Sequence, residues 1–533
     1  MIEAILRGGR VIDGTGAPAT VADVAIGGGR IVEIGNLSHL SAPAEIDAGG
    51  AVVAPGFIDM HAHDDFNLPV NPYAEGKISQ GVTTVVNGNC GYSPAPCDPD
   101  RLALHREIVL NIDSGLDFCW ASMGEFLDRH PDCGVNVCQL VGHNAVRAAV
   151  MGVEARPPTE AELDAMRAHV DEAMRAGAIG FSTGLFGPPS GNADIGEVVE
   201  LARVAARHGG SYHTHMRNEG SQVAEAIDEA LEVGRRSGAA VQISHLKISN
   251  PDHHGIADRL LARIRSARDE GIDVHCDQYP YRASSGGLRA RLPAWAQTGT
   301  RDEVLSRLAD PQTRARLRNE IEEGMARDGV SMRIYDFADV LVAVSPSRPH
   351  YVGLSLAEVA VQESKPPAVA MIDLLLDDLL ATRGIYFHMS EVDVRRILAD
   401  PLVAIGSDGL YMGMPGKPDT TNPHPRHYGT FARVLGHYTR DERLLDLSEA
   451  VRKMTGLSAD ILGLKDRGRI APGMRADIVI FDPEAIRDRA TFEAPHQTAA
   501  GIVDVLLDGV AVMRNGAPTG ATPGRVLRPR RTT

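Results

Sequence analysis

Between Gly56 and Asp408 the chain returns eight times to one motif, a short apolar run ending in polar residues, and most of these runs are separated by a helical stretch. The runs are GFIDMHAH (56–63), TTVVNG (83–88), GVNVCQLVGH (134–143), AIGFSTG (178–184), GSYHTH (210–215), AVQISH (240–245), IDVHCDQYP (272–280) and LVAIGSD (402–408). Between them, TEAELDAMRAHVDEAMRAG and GSQVAEAIDEALEVGRRSG place apolar residues at helical spacing, and the second stops at a glycine. Near-continuous apolar strands alternating with helices imply a parallel sheet covered on both faces. Eight such units predict an α/β fold of the (β/α)8, TIM-like barrel type.

Two regions depart from this rhythm. The interval from Tyr281 to Leu402 is too long for one connection, so residues 285–345 are expected to form a subdomain inserted over the barrel mouth, as a lid or as a structural elaboration. At the ends, EAILRGGRVIDG and VADVAIGGGRIVEIG near the start resemble GRIAPGMRADIVIFD and GIVDVLLDGVAVMRNG near the finish, all β-like pieces cut by glycine turns. Residues 1–55 and 466–533 are therefore expected to build one small β-sandwich domain, starting with an antiparallel meander, beside a barrel spanning 56–465.

Composition narrows the function. With 43% apolar residues in 533, the chain can bury a large core without disulfides. A net charge of −16 argues against nucleic acid as a partner, and the basic tail PGRVLRPRRTT reads as a solvated end. No apolar run approaches the ~20 residues needed to cross a membrane, and the start lacks a secretory pattern, so a cytoplasmic protein is expected. The six cysteines are irregularly spaced and read as free thiols.

Barrel enzymes carry their chemistry at the C-terminal strand ends. Here those ends hold His61, His63, Cys90, His215, His245 and Asp408, all able to bind a divalent metal or move a proton. His61 and His63 are two apart, so on a strand both imidazoles face one side. Alone, such a pair is as readily two polar strand-end residues bonded to carbonyls. His215 and His245 lie one βα unit apart, at the same height on adjacent staves. Cys90 by itself reads as packing, but a thiolate beside imidazoles suits Zn2+. Asp408 either caps a turn or serves as the general base of a metal-dependent hydrolase.

Taken together, GFIDMHAHDD, GVTTVVNGNCGYSPAP, HTHMRNEG, ISHLK, DQYPY, GSDG and HPHPRHYGTFARVLGHY resemble the D-aminoacylase (N-acyl-D-amino-acid deacylase) family of the amidohydrolase superfamily. The likeness covers nearly the whole chain. It implies zinc-dependent hydrolysis of the amide of an N-acyl-D-amino acid. Cys90, His215 and His245 would hold one tight Zn2+, and His61 and His63 a second, weaker position. Cys90 would stand in for the carboxylated lysine that many superfamily members carry on the fourth strand, where this chain reads AIGFSTGL. Lys247, Tyr281 and Arg426 would clamp the α-carboxylate, with Tyr279 competing for the place of Tyr281. The stretch YMGMPGKPDTTN looks longer than the family pattern and leaves the side-chain preference open. Two alternatives are a cyclic amide hydrolase of the hydantoinase or dihydropyrimidinase kind and a non-catalytic binding protein on the same scaffold. The cysteine and HPHPR oppose the first, the filled ligand positions the second.

Overall fold

The computed structural model describes residues 1–109, 115–322, 333–410 and 421–528. Most of YMGMPGKPDTTN and the last residues of the basic tail lie outside them. Eight parallel strands form the central sheet: β1 (Phe57–Asp59), β2 (Val82–Asn87), β3 (Asn136–Gly142), β4 (Gly180–Gly184), β5 (Ser211–His215), β6 (Ala240–Ile243), β7 (Val274–Gln278) and β8 (Val403–Ile405). Each pairs with its neighbour in chain order, and β8 pairs with β7 across the long insertion. The sheet closes on itself beyond the ends of β1 and β8. Met60 N donates to Ile405 O (3.2 Å), Asp408 N donates to His61 O (2.7 Å), and a parallel bridge joins Ala62 to Gly409. The expected barrel is present with all eight staves. Every residue of β2 and β3 is buried, as a strand covered on both faces requires. The helix Glu160–Ala176 opens with a capping box between Thr159 and Glu162, and the helix Val223–Ser237 stops at Gly238.

Strands from both termini join in one nine-stranded sheet. Ala4–Val11, Thr20–Gly27 and Arg30–Gly35 form the expected antiparallel meander. The first of them also pairs in parallel with Ala44–Asp47 and Val52–Pro55, which was not foreseen. A register break between Leu6 and Gly9 bends the strand, and Leu6, Val24, Val53, Ile478 and Leu506 share one apolar cluster. On the barrel side, Val52, Phe57, Phe431 and Phe481 belong to a second cluster, with Phe57 and Phe431 stacked at 5.8 Å.

The tail is not free up to its last described residues. Gly524 N donates to Cys133 O (2.7 Å), Leu527 N donates to Val137 O (2.8 Å), and Arg525 pairs with Asp508 (3.1 Å). The chain runs along the lower end of β3, so as far as Arg528 the tail expected to be solvated is held against the barrel.

The insertion is larger than expected. Ala283–Gly287 pairs antiparallel with Arg383–Phe387, which pairs in turn with Val340–Val344. Helices between them share an apolar cluster that includes Leu292, Leu317, Leu356, Met371 and Tyr386. A boundary at 345 cuts through this sheet, because its central strand comes from residues 383–387; residues 283–387 are the physical unit.

Candidate metal centre

Cys90 sits in the turn Asn89–Gly91 after β2 with φ +55. The glycines around it make room. A Cβ on Gly88 (φ +83) would lie 2.2 Å from Leu140 O, and one on Gly184, at the end of β4, would lie 2.3 Å from Cys90 O. The backbone of Cys90 thus occupies the end of β4, and its thiol enters the barrel mouth from β2. His245 (φ +36) and Asp408 (φ +47) are also left-handed. Non-glycine residues there cost roughly 1–3 kcal/mol each, a strain that clusters at functional sites.

The sulfur stands 3.4 Å from His61 Nε2, 3.7 Å from His215 Nδ1 and 3.4 Å from His245 Nε2. Tetrahedral zinc with Zn–S near ~2.3 Å and Zn–N near ~2.05 Å sets its S and N ligands roughly 3.6 Å apart. The donors suit zinc in chemistry, and the group around the sulfur whose atoms all lie mutually close is His61, Cys90 and His245 rather than the expected Cys90, His215 and His245. Burial first, then the charge of Asp408, holds the Cys90 thiol well above its ordinary range, so a bound cation is what would draw off its proton.

A carboxylate lies near the other nitrogen of each of the three imidazoles around Cys90. Glu219 lies 3.3 Å from His215 Nε2 and 3.0 Å from His245 Nδ1. Asp277 lies 3.4 Å from His61 Nδ1 and accepts the His245 backbone N–H at 2.8 Å. His63 Nε2 lies 3.1 Å from Asp408 Oδ1, and His61 Nε2 lies 3.7 Å from the same oxygen. Three overlapping groups could hold a cation: His61, Cys90 and His245; His61, His63 and Asp408; His215, Glu219 and His245.

Arg426 Nη1 pairs with Asp408 Oδ2 at 2.7 Å. Burial alone would raise the Asp408 carboxyl, but Arg426, followed by the site histidines, keeps it well below the usual carboxylate range. Lys247 Nζ donates to Glu219 (2.5 Å) and contacts His245 Nδ1 (2.7 Å). Below the site, buried Lys77 pairs with Asp59 (2.8 Å) and Asp64 (3.2 Å) and donates to Ser407 Oγ (2.9 Å). Asp59 also accepts the Ser407 backbone N–H (2.7 Å), which ties β1 to the loop bearing Asp408.

All the expected ligands, with Asp408, Lys247 and Arg426, therefore meet at one mouth. Tyr281 does not. Its N–H donates to Tyr279 O (3.0 Å) across Pro280, and this tight reversal turns it away to pack on His424 and Phe492 beneath Arg433. Tyr279 lines the cavity instead, with Arg426 4.6 Å and Lys247 5.9 Å from its ring centre. Glu219, Asp277 and Lys77 were not singled out from the sequence. The first two stand inside quoted motifs, HTHMRNEG and DQYPY, four residues after His215 and at the end of β7.

The amidohydrolase family model matches residues 44–513. The N-acyl-D-glutamate deacylase of Alcaligenes xylosoxydans xylosoxydans is 40% identical over 99% of this chain and 96% of its own length. A D-aminoacylase crystal structure is 40% identical, with a TM-score of 0.82 over 99% of this chain and all of the other. The N-acyl-D-glutamate deacylase of Bordetella bronchiseptica, solved with zinc and a phosphonate mimic of the tetrahedral intermediate, is 36% identical, with a TM-score of 0.82 over the same shares. Likeness on this scale runs through the barrel, the terminal sheet and the mouth alike, and it places the chain in the amidohydrolase family, among the D-aminoacylases.

Proposed function

We propose that this protein hydrolyses the amide bond of N-acyl-D-amino acids, releasing a carboxylate and a free D-amino acid. The observation that carries the reading is Cys90 Sγ within 3.4–3.7 Å of three imidazole nitrogens, with Asp408 beside them. Cys90, His215 and His245 would hold a tight zinc. His61 and His63 would offer a weaker position, and His61 Nε2 stands 3.4 Å from the Cys90 sulfur. When bound, zinc supplies a Lewis acid for the acyl carbonyl and lowers the pKa of a water.

The protein's own groups do the rest. Asp408, ionised beside Arg426, accepts the proton of the attacking water and later gives it to the departing amine. Glu219 and Asp277 hold the imidazoles in register. Lys247 has N–H groups beyond the one it donates to Glu219, and with Arg426 and the Tyr279 hydroxyl it would bind the α-carboxylate and present the amide to Asp408. The D-configuration is supported by the names of the relatives.

The test is Asp408→Asn. The variant is expected to keep its zinc and lose about 10²–10⁴-fold in turnover of the N-acetyl-D-amino acid that the wild type cleaves fastest, the range of a general base. Full activity in Asp408→Asn would remove Asp408 from the chemistry.

A further inference from the structure

Cys90 holds a φ of +55 between Gly88 at +83 and Gly91 at +78. A non-glycine residue stays left-handed only where its surroundings over-determine it. A tetrahedral metal site is also exacting about its sulfur, which has to stand within roughly 0.5 Å of the productive place. Two glycines beside Cys90 make the turn adaptable, so the fixing has to come from the walls around it.

Buried side chains from neighbouring elements reach this turn. Asp65 accepts the Gly88 N–H and is itself held by Gln139 Nε2 at 2.9 Å. Asn144 Nδ2 donates to Cys90 O at 3.4 Å, while its oxygen accepts the Ser190 N–H at 3.0 Å. Asp65 thus bears on Gly88 and Asn144 on Cys90. Ser182 bears on both ends. Its hydroxyl donates to Gly88 O and accepts the Gly91 N–H at 3.1 Å. One oxygen thereby spans Cys90 from before to behind. Ser182 is fully buried on β4, in register with Gly142 of β3 and His213 of β5. Its oxygen belongs to the barrel frame rather than to a loop, and two residues on, Gly184 leaves the space that Cys90 O fills.

We propose that Ser182 is a positioning residue of the metal centre: by bonding both ends of the turn 88–91, its hydroxyl holds Cys90 left-handed and aims the sulfur at the imidazoles. The proposal rests on the reading of Cys90 as a metal ligand. Without the hydroxyl, Gly88 O and the Gly91 N–H lose their shared partner, and Cys90 relaxes toward the right-handed backbone that suits a residue with a Cβ. The sulfur then leaves the place from which it faces His61, His215 and His245. The next residue supplies a control. Thr183 points to the other face of β4, where its Oγ1 meets Tyr212 Oη at 3.0 Å and Thr214 Oγ1 at 2.9 Å. Thr183→Val removes as many buried hydrogen bonds from the same strand, on the face away from the turn.

The experiment titrates the metal-free wild type, Ser182→Ala and Thr183→Val with zinc against a chromophoric chelator. It then records the thiolate-to-cobalt charge-transfer absorption of each protein at equal Co2+ occupancy, with the thermal midpoint as the measure of folding. Ser182→Ala is expected to lose about 10–100-fold in zinc affinity, the worth of a group that orients a ligand, and to show a weaker charge-transfer band. Thr183→Val is expected to melt lower and keep both the affinity and the band of the wild type. Wild-type affinity and band in a folded Ser182→Ala would overturn the proposal. So would an equal loss of affinity in Thr183→Val, since a general softening of β4 would then explain both. Should Ser182→Ala not fold, Ser182→Cys, which weakens both bonds and keeps an atom in their place, is read by the same two outcomes. A wild-type cobalt protein with no thiolate band would instead sink the reading of Cys90 as a ligand.

Discussion

Cys90 decides the chemistry of this site at the scale of single residues. Its sulfur touches three imidazoles, two of them oriented by Glu219 and one by Asp277. Cys90→Ala should bind less than a tenth of the zinc of the wild type at equal free metal, measured by metal analysis after dialysis; losing only a hydrogen-bond partner of a ligand already costs roughly 10–100-fold in affinity. Unchanged zinc would show that the histidines suffice. The two tyrosines give a sharper contrast. Tyr279→Phe should raise KM for an N-acyl-D-amino acid about 10–150-fold, the worth of one charge-assisted hydrogen bond, whereas Tyr281→Phe should leave KM within about twofold. Steady-state kinetics on the two variants separate them. Strand-end histidines were legible in the sequence because their position on a barrel is set by the strand. The choice between Tyr279 and Tyr281 was not, since it depends on the reversal at Pro280, which spacing alone does not report.

Elements position those residues, and the seam between β1 and β8 matters most. Lys77, buried among Asp59, Asp64 and Ser407, joins the strand that precedes His61 to the loop that carries Asp408. Lys77→Met leaves two carboxylates buried without their cation and should destabilise the fold by about 3–5 kcal/mol in denaturant unfolding. A cost under about 1 kcal/mol would mean the seam holds without it. A second consequence concerns acid. His105, in the helix Leu102–Val109, is 1% exposed, and burial pulls its pKa from the ordinary 6.5 to about 4. The unfolded chain then binds this proton more readily than the folded one. The stability it contributes is complete above about pH 6.5 and is lost as pH falls toward 4. His105→Phe should flatten the fall of Tm between pH 6.5 and 4, and an unchanged slope would remove His105 from the acid response. Burial of this kind was invisible in the sequence, where LALHREIV shows only a histidine on a short helix.

On the scale of the whole molecule, the parts that repeat were the legible ones. Strands β2 and β3 are apolar throughout because both faces are covered, and that signature marks a parallel barrel before any coordinates are known. The terminal sheet was legible as strands, but not in its parallel pairs, which join residues far apart in the chain. The inserted unit was drawn too short because its sheet closes only when residues 383–387 return beside 283–287. That unit supplies Arg289, Arg291 and Arg383 to the cavity wall. Among the described residues no helix is long and apolar enough to cross a membrane.

One measurement bears on the account most directly: amine release from matched N-acetyl-D- and N-acetyl-L-amino acids by the zinc-loaded protein, with and without a chelator. The account predicts release from the D-enantiomers only, abolished by chelation and restored by zinc. Release from the L-enantiomers at equal rates, or D-hydrolysis that survives complete removal of metal, would contradict it.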